Sequence, residues 1–201
     1  PAPIAAVLGC AVLTGGGAVL NAGAPGPEDE VMIVGLGGVG MAALITALSI
    51  ETAGVIGVDA NPDKLEAAKE LGAVEAYTPE TLGERKAPIV IECVGHPRAF
   101  ETAFAATAVG GTTVTVGLPS PDAEARITPV TLTAEARTVV GSYLGSAVPS
   151  RDIPIYAQLW REGKLPVEEL ISDTVALSEI NTAFDALAEG RVIRQVIDFT
   201  R

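Results

Sequence analysis

The stretch from Val31 to Asp59 constrains the fold more than any other part of the sequence. It begins with a short apolar run, VMIV, which is typical of a buried parallel strand. Gly35, Gly37 and Gly40 follow with the spacing G-x-G-x-x-G, and the apolar residues after them recur at helical intervals. A second apolar run ends at Asp59. The order strand, glycine turn, helix, strand predicts a βαβ unit with two parallel strands.

The residue types in this unit suit the binding of a dinucleotide. Gly35 allows a sharp turn out of the strand, Gly37 allows a pyrophosphate to approach the backbone, and Gly40 allows the helix to pack closely. Free N–H groups at the helix start favour phosphate. Asp59 follows the last glycine by about 20 residues, where an acid reaches the adenosine ribose hydroxyls. Its charge would repel a 2′-phosphate, so the stretch predicts NAD. The alternative is a glycine-rich turn in another α/β sheet.

Composition narrows the class of protein. The length of 201 residues suits one large domain, or one domain with an appendage. The formal net charge of −12 argues against nucleic acid and against an anionic membrane surface as partners. Cys10 and Cys93 are the only cysteines, too few for a disulfide framework, so a cytoplasmic location is expected.

The N-terminal stretch Pro1–Pro27 carries no charged side chain and needs a separate test. By composition it resembles a membrane span, a signal peptide or a lipoprotein motif ending at Cys10. The stretch has no basic n-region, and Gly15–Gly17 interrupts its apolar run. We therefore expect a helix at Pro3–Leu20 and no membrane role. The start at Pro1 suggests a fragment or a processed chain.

Strand and helix patterns alternate along the rest of the chain. Apolar runs predict strands at Val74–Tyr77, Ile89–Val94, Thr112–Leu118, Ile127–Leu132, Thr138–Leu144 and Val192–Phe199. Helical spacing and caps predict helices at Met41–Thr52, Asp63–Leu71, Pro97–Ala108, Asp152–Arg161 and Ser178–Glu189. The polar segment Thr78–Ala87 is too short for a full crossover helix. The alternation predicts an α/β fold with a doubly wound parallel sheet, the Rossmann fold, with an N-terminal helix and a C-terminal tail.

With these segments placed, the sequence resembles the zinc-dependent alcohol dehydrogenases of the medium-chain dehydrogenase/reductase group. The segments that carry the resemblance, in family order, are Leu8–Leu20, Val34–Leu44, Gly57–Ala73, Glu92–Gly95, Gly110–Pro119, Gly141–Gly145 and Glu179–Ile197. They match only the latter part of such an enzyme. The resemblance implies a linker helix (1–27) from a missing N-terminal catalytic domain, an NAD-binding Rossmann domain (28–165), and a tail (166–201) that would complete the missing domain.

The resemblance also implies residue roles, of which spacing alone identifies only the glycine loop and Asp59. Cys10 would be a ligand of the catalytic zinc, and Thr14 would touch the nicotinamide. Arg194 would reach the pyrophosphate from the tail. The remaining cofactor residues would be Gly35, Gly37, Gly38, Val39 and Gly40 at the pyrophosphate, Asp59 and Lys64 at the adenosine ribose, Val94, Gly95, Val116, Gly117 and Leu118 at the ribose and nicotinamide, and the backbone of Ser142 and Leu144 at the carboxamide.

The expected zinc site is incomplete in this chain. The family's other zinc ligands, a cysteine and a histidine–glutamate pair, belong to the absent domain, and a catalytic zinc needs about three protein ligands. We therefore expect this chain to hold no zinc tightly and to turn over no alcohol. The alternative for Cys10 is a buried free thiol.

The function favoured by the sequence is the cofactor-binding portion of an NAD-dependent, zinc-dependent alcohol dehydrogenase-like oxidoreductase. One alternative is a non-catalytic NAD-binding or redox-sensing module. Another is a zinc-free NADPH-dependent quinone or enoyl reductase. Such enzymes generally prefer NADPH and lack a cysteine at the position of Cys10, so Asp59 and Cys10 both argue against this alternative. Family members dimerise by joining sheet edges, so a homodimer through Ile127–Leu144 is expected. The substrate alcohol is not indicated.

Overall fold

A six-stranded parallel sheet forms the centre of the computed structural model, which describes residues 1–201. Its strands are β1 (Glu30–Val34), β2 (Gly54–Val58), β3 (Glu75–Tyr77), β4 (Ala87–Glu92), β5 (Thr107–Thr115) and β6 (Thr138–Gly141). The spatial order is β3-β2-β1-β4-β5-β6. The order reverses between β1 and β4, so a crevice opens there at the carboxyl ends of the strands. The predicted doubly wound parallel sheet is confirmed.

Seven helices surround the sheet and its tail. They are α1 (Ala2–Gly23), α2 (Gly38–Leu48), α3 (Pro62–Leu71), α4 (Pro97–Ala105), α5 (Pro129–Ala134), α6 (Pro149–Arg161) and α7 (Ile180–Ala188). Short 3₁₀ turns occupy Tyr143–Ser146, Val167–Leu170 and Leu177–Glu179. A separate two-stranded parallel sheet joins β7 (Asp173–Ala176) to β8 (Gln195–Asp198).

The core explains why the apolar runs become central strands. Residues Val31–Val34 of β1 pair with β2 on one side and β4 on the other, and all four are buried. Helix α2 is buried along most of its length, from Gly40 to Ala47, because it lies between the sheet and α1. Strands buried on both faces read as continuous apolar runs, which is why these elements were predicted correctly.

Helix α1 runs through its three glycines without a break. A Cβ on Gly15 would lie 2.2 Å from the Val39 carbonyl oxygen, one on Gly16 would lie 2.7 Å from the Tyr156 ring, and one on Gly17 would lie 2.3 Å from a backbone oxygen of the turn after β6. The glycines are therefore places where three neighbouring elements approach closely. The expected helix is confirmed and extends beyond its predicted end.

Helix α1 also has the length and apolar composition of a membrane span. However, 61% of its most apolar window is buried inside the fold, where it packs against α2 and α6. A core helix of a folded domain passes the same compositional test.

Several predicted boundaries are wrong. Residues 127–132 do not form a strand: Pro129 starts the short helix α5, because proline at a first helical position fixes a helical φ. Helix α2 ends at Leu48, well before the predicted Thr52. Strand β5 stops at Thr115, so Val116–Leu118 lie beyond it, and β6 stops at Gly141.

The abbreviated segment between β3 and β4 is confirmed as a turn without a helix. Arg85 ties its end to the sheet. Its guanidinium pairs with Glu30 at the start of β1 at 2.6 Å and with Glu75 at the start of β3 at 2.7 Å. These ion pairs hold the segment in place, a role that the packing of a crossover helix would otherwise fill.

Candidate dinucleotide-binding site

The glycine turn has the geometry that close backbone approach requires. Gly35 has φ +93°, which side-chain-bearing residues rarely adopt. Its N–H donates to the Val58 carbonyl at 2.7 Å, so the turn begins directly at the end of β1. A Cβ on Gly40 would lie 1.7 Å from the Gly35 carbonyl oxygen, whereas one on Gly37 would meet no atom within 4 Å. Gly40 thus serves the packing of α2, and Gly37 leaves open space above the helix start.

The first turn of α2 faces this open space with free N–H groups. The carbonyl oxygen of Gly37, the residue before the helix, accepts a hydrogen bond from the Met41 N–H at 2.8 Å. The N–H groups of an α-helix's first turn lack intrahelical acceptors and carry the positive end of the helix dipole. Gly38 and Val39 lie in that turn, so the site suits an anion.

Asp59 closes the other side of the turn. One carboxylate oxygen accepts from the Leu36 N–H at 2.7 Å, and the other accepts from the Asn61 N–H at 2.9 Å. The Lys64 ammonium lies 3.9 Å away, and the aspartate side chain is 12% exposed. Each carboxylate oxygen has a further lone pair, so the group can still accept from hydroxyls in the crevice. Asp59 and Lys64 are therefore together, as the resemblance implied.

Arg194 reaches the glycine turn from the tail. A Cβ on Gly38 would lie 2.4 Å from the Arg194 Nε and 2.8 Å from its Cζ, so the guanidinium lies against the helix start. The segment is held by two bonds: the Ser172 N–H donates to the Arg194 carbonyl at 2.7 Å, and the Ile193 N–H donates to the Ser172 hydroxyl at 2.8 Å. The Nε of Arg194 is buried and has no hydrogen-bond partner. An unpaired buried donor beside free helix N–H groups fits an absent anion.

The loop after β4 forms the facing wall of the crevice. The Val94 side chain lies against the glycine turn, since a Cβ on Gly35 would lie 2.3 Å from its Cγ2. Gly95 has φ +75°. The N–H groups of Val94 and Gly95 both donate to Glu92 Oε1 at 2.7 Å. This buried glutamate was not singled out from the sequence, although an acid that ends an apolar strand is a visible signal.

The residues after β5 pack against that loop. A Cβ on Gly117 would lie 1.9 Å from the Gly95 nitrogen, so the two backbones touch. Val116 is buried, and Leu118 is 76% exposed. The three predicted residues therefore line the same edge of the sheet, but from a loop rather than from the strand that was predicted to hold them.

A left-handed turn follows β6. Leu144, Gly145 and Ser146 all have φ between 50° and 69°. Left-handed backbone is costly for residues with a Cβ and concentrates at functional sites. Gly145 touches α1, because its Cβ would lie 2.7 Å from the Thr14 carbonyl oxygen. Ser142 is buried, with its N–H bonded to the Thr115 carbonyl at 2.9 Å. Thr14, Ser142 and Leu144 are therefore brought to one region.

The side chains of Asn21 and Asp152 hold the turn after β6 in place by hydrogen bonds. The Asn21 amide donates to the Gly145 carbonyl at 3.2 Å, and Asp152 Oδ2 accepts from the Val148 N–H at 2.8 Å. The pKa of the Asp152 carboxyl is lowered, chiefly by hydrogen bonds from the Arg151 guanidinium and also by the Val148 N–H. Sequence reasoning missed both residues; the partner of Asn21, Gly145, is 124 residues away in the chain, so no local pattern signals that contact.

A cleft of about 490 Å³ lies beside the glycine turn, between the ends of β2 and β4. Gly35, Asp59, Lys64 and Val94 line it, together with His96 and Arg98 at its outer end. His96 is exposed, and its Nδ1 accepts from the Arg98 N–H at 3.2 Å, which caps α4. The histidine thus ends a loop and starts a helix.

The predicted zinc ligand stands alone. Cys10 is exposed on α1, in a surface groove that Arg194 and Phe199 also line. The alternative of a buried thiol is wrong for Cys10. No group of three His, Cys, Asp or Glu side chains is placed to hold a metal ion in this chain. The residues present therefore do not form a zinc site by themselves.

The two thiols are expected to react at different rates. Burial raises the pKa of the Cys93 thiol strongly, and the neighbouring Glu92 carboxylate raises it further. We expect a thiol reagent at pH 8 to modify Cys10 at once and Cys93 only after unfolding, because the thiolate is the nucleophile. Counting modified thiols by mass, with Cys10→Ser as the control, checks this. Rapid modification of Cys93 in the folded C10S variant would contradict it.

Comparison with known proteins places this geometry in a family. The sequence profile of the zinc-binding dehydrogenases matches residues 38–162, which is more than half of the chain. The chain belongs to the zinc-binding dehydrogenase family. Among the relatives of this chain, alcohol dehydrogenase 1 of Cenchrus americanus is 36% identical over 203 residues, covering 95% of this chain and 53% of the relative. Alcohol dehydrogenase 2 of Zea mays is 34% identical with the same coverage.

Solved structures resemble the fold of this chain over almost its whole length. Benzyl alcohol dehydrogenase from Acinetobacter calcoaceticus gives a TM-score of 0.93 at 28% identity, covering 98% of this chain and 57% of that one. An alcohol dehydrogenase zinc-binding domain protein from Burkholderia ambifaria gives 0.90 at 28% identity, covering 94% and 54%. The chain thus spans about half the length of the relatives it matches.

Proposed function

We propose that this chain is the cofactor-binding portion of an NAD-dependent, zinc-dependent alcohol dehydrogenase-like oxidoreductase. The observation that carries the proposal is the Arg194 guanidinium, which lies against Gly38 at the start of α2 with a buried, unpartnered Nε. A cation and free helix N–H groups facing one open space suit a pyrophosphate. The family relationship to alcohol dehydrogenases supports the class of reaction.

The residues of this chain would bind and orient the dinucleotide. Gly37–Val39 and Arg194 would hold the pyrophosphate, and Asp59 would accept from the adenosine ribose hydroxyls. The left-handed turn at Leu144 would offer backbone groups to the carboxamide. The nicotinamide supplies the chemistry when bound, by accepting a hydride from the alcohol carbon. Cys10 would contribute one ligand to a zinc whose other ligands this chain does not supply.

The test is a titration of the purified chain with NADH and, separately, with NADPH, followed by nucleotide fluorescence. Saturable binding of NADH with little response to NADPH is the expected result. Binding of neither nucleotide would count against a cofactor site in this chain. Tighter binding of NADPH would favour a zinc-free quinone or enoyl reductase. If the chain is instead part of a non-catalytic sensor, the full-length protein would bind NADH but would not oxidise alcohols.

The choice between NAD and NADP is assigned to Asp59. The Asp59→Asn variant keeps an oxygen for one of its two backbone N–H partners and removes the charge that repels a 2′-phosphate. We expect NADH to bind more weakly and NADPH more tightly, so that the ratio of their affinities changes by about tenfold or more, which is about 1.4 kcal/mol. The ratio is insensitive to a general loss of fold. An unchanged ratio would remove Asp59 as the source of specificity.

We further propose that the chain forms a homodimer through the sheet edge. Strand β6 lies at one edge of the six-stranded sheet, and Val139 on it is 36% exposed. Unpaired edge strands invite pairing, and a charge on the edge blocks it. Sedimentation velocity is expected to show dimers that Val139→Lys converts to monomers, while NADH binding stays unchanged. A wild-type chain that remains monomeric at high concentration would sink this proposal.

A further inference from the structure

Glu92 is the one acidic residue buried within the central sheet, and it is 1% exposed. It ends β4, where it pairs with Val34 of β1 on one side and Thr115 of β5 on the other. The residues before it are aliphatic. A buried carboxylate is costly unless its oxygens are hydrogen-bonded, so its presence here calls for an explanation.

The carboxylate is satisfied by neutral donors. Oε1 accepts from the N–H groups of Val94 and Gly95, both at 2.7 Å, and Oε2 accepts from the Thr115 hydroxyl at 2.9 Å. The loop after β4 is thereby folded back onto the end of its own strand. One side chain sets the position of two consecutive peptide groups.

Those two peptide groups lie where the strand order reverses. Val94 contacts the glycine turn at Gly35, and Gly95, with φ +75°, touches the backbone of Gly117 beyond β5. The loop is therefore wedged between the two halves of the sheet, at the crevice where open α/β sheets bind their ligands. A displacement of this loop would change the width of the crevice.

We propose that Glu92 is a positioning residue for the dinucleotide, whose carboxylate holds the Val94–Gly95 loop as the fixed wall of the crevice. The inference rests on the proposed function, since the ligand is the dinucleotide. It attributes the role of Glu92 to the length and acceptor geometry of the side chain, not to its charge. That distinction can be tested, because glutamine and aspartate separate the two properties.

Glutamine keeps the length and removes the charge. Its amide oxygen can accept from both loop N–H groups, while its amide nitrogen donates to the Thr115 hydroxyl, which can act as an acceptor. Aspartate keeps the charge but is one methylene shorter, so its oxygens retreat from the loop. The expected order of NADH affinity is therefore wild type and Glu92→Gln together, with Glu92→Asp weaker.

The experiment combines NADH titration with amide hydrogen exchange by NMR. We expect Glu92→Asp to bind NADH about tenfold more weakly, as the loss of these hydrogen bonds implies, and Glu92→Gln to stay within about threefold of wild type. The Val94 and Gly95 amides are expected to lose protection in Glu92→Asp only, while β1 amides stay protected in every variant. Thr115→Val, which removes only the Oε2 partner, is the matched control and is expected to retain binding.

The outcomes separate this inference from the proposed function. If the wild type does not bind NADH, the proposed function fails, and the exchange data alone report whether Glu92 holds the loop. If the wild type binds and Glu92→Asp binds equally well, the positioning role is overturned. The inference is also overturned if Glu92→Gln and Glu92→Asp lose NADH affinity equally while the Val94 and Gly95 amides lose exchange protection only in Glu92→Asp. In that case the position of the loop does not explain the effect of Glu92 on binding.

Discussion

Arg194→Met is expected to weaken NADH binding by about 30-fold or more, while the fold stays at least as stable. A charge-assisted hydrogen bond contributes about 1.5–3 kcal/mol, and the variant removes the guanidinium that lies against Gly38 at the start of α2. In the free chain the Nε is buried without a partner, which costs about 1–3 kcal/mol. Methionine has a similar length and no donor, so the two effects have opposite signs.

The control for this variant is Arg191→Met, three residues earlier in the same tail. Arg191 is exposed, and its Nε is bonded to Glu189. Both variants change the net charge equally, so equal losses of NADH affinity would indicate a long-range charge effect instead of contact. Thermal unfolding measured beside the titration checks the stability of each variant. Wild-type affinity in Arg194→Met would contradict the assignment of the guanidinium to the cofactor.

Two glycine-to-alanine variants are expected to separate folding from binding. In Gly40→Ala the new Cβ would lie 1.7 Å from the carbonyl oxygen of Gly35, which directly follows β1, a strand paired on both sides. Overpacking of this kind costs about 1–3 kcal/mol or more. We expect the unfolding midpoint to fall by roughly 5–10 °C, given about 2–4 °C per kcal/mol for a chain of this size. NADH binding is lost with the turn.

Gly37→Ala is the matched variant with no clash in the free protein. Its Cβ meets no atom within 4 Å, and its φ of −77° is ordinary for alanine. We expect stability to change by less than about 1 kcal/mol, because alanine is only a weaker helix cap than glycine. NADH affinity is expected to fall at least about tenfold, since the methyl group fills the space left for the pyrophosphate. Full affinity in Gly37→Ala would exclude a pyrophosphate above this turn.

Much of the site was predictable from local sequence. Gly35, Gly40 and Asp59 were assigned from spacing alone, because a strand, a turn and a helix that follow each other directly are fixed by the residues within them. The strand predicted at 127–132 is wrong, because local residue types do not show which segment occupies the edge of the sheet. The β-branched residues of 127–132 resemble a strand, but the edge position is taken by β6, and Pro129 starts a short exposed helix.

Contacts between distant residues could not be predicted in this way. The Gly15–Gly17 run looked like an interruption of an apolar stretch, whereas each glycine admits a different neighbour into contact with α1. Glu92 lay inside the predicted strand Ile89–Val94, whereas in the structure it ends β4 and its role depends on a loop that folds back to meet it. Neither arrangement leaves a periodic signal in the sequence.

The sequence by itself determined the βαβ unit, the parallel sheet and the acidic residue after β2, because apolar periodicity and glycine spacing act over a few residues. Only the tertiary structure decided which side chains meet at the crevice. The family resemblance implied a role for Arg194, but local spacing did not, because Arg194 lies more than 150 residues after Gly38 in the chain. Its guanidinium nevertheless contacts the helix start. Such a contact depends on how the tail packs onto the sheet, and packing is set by the whole fold.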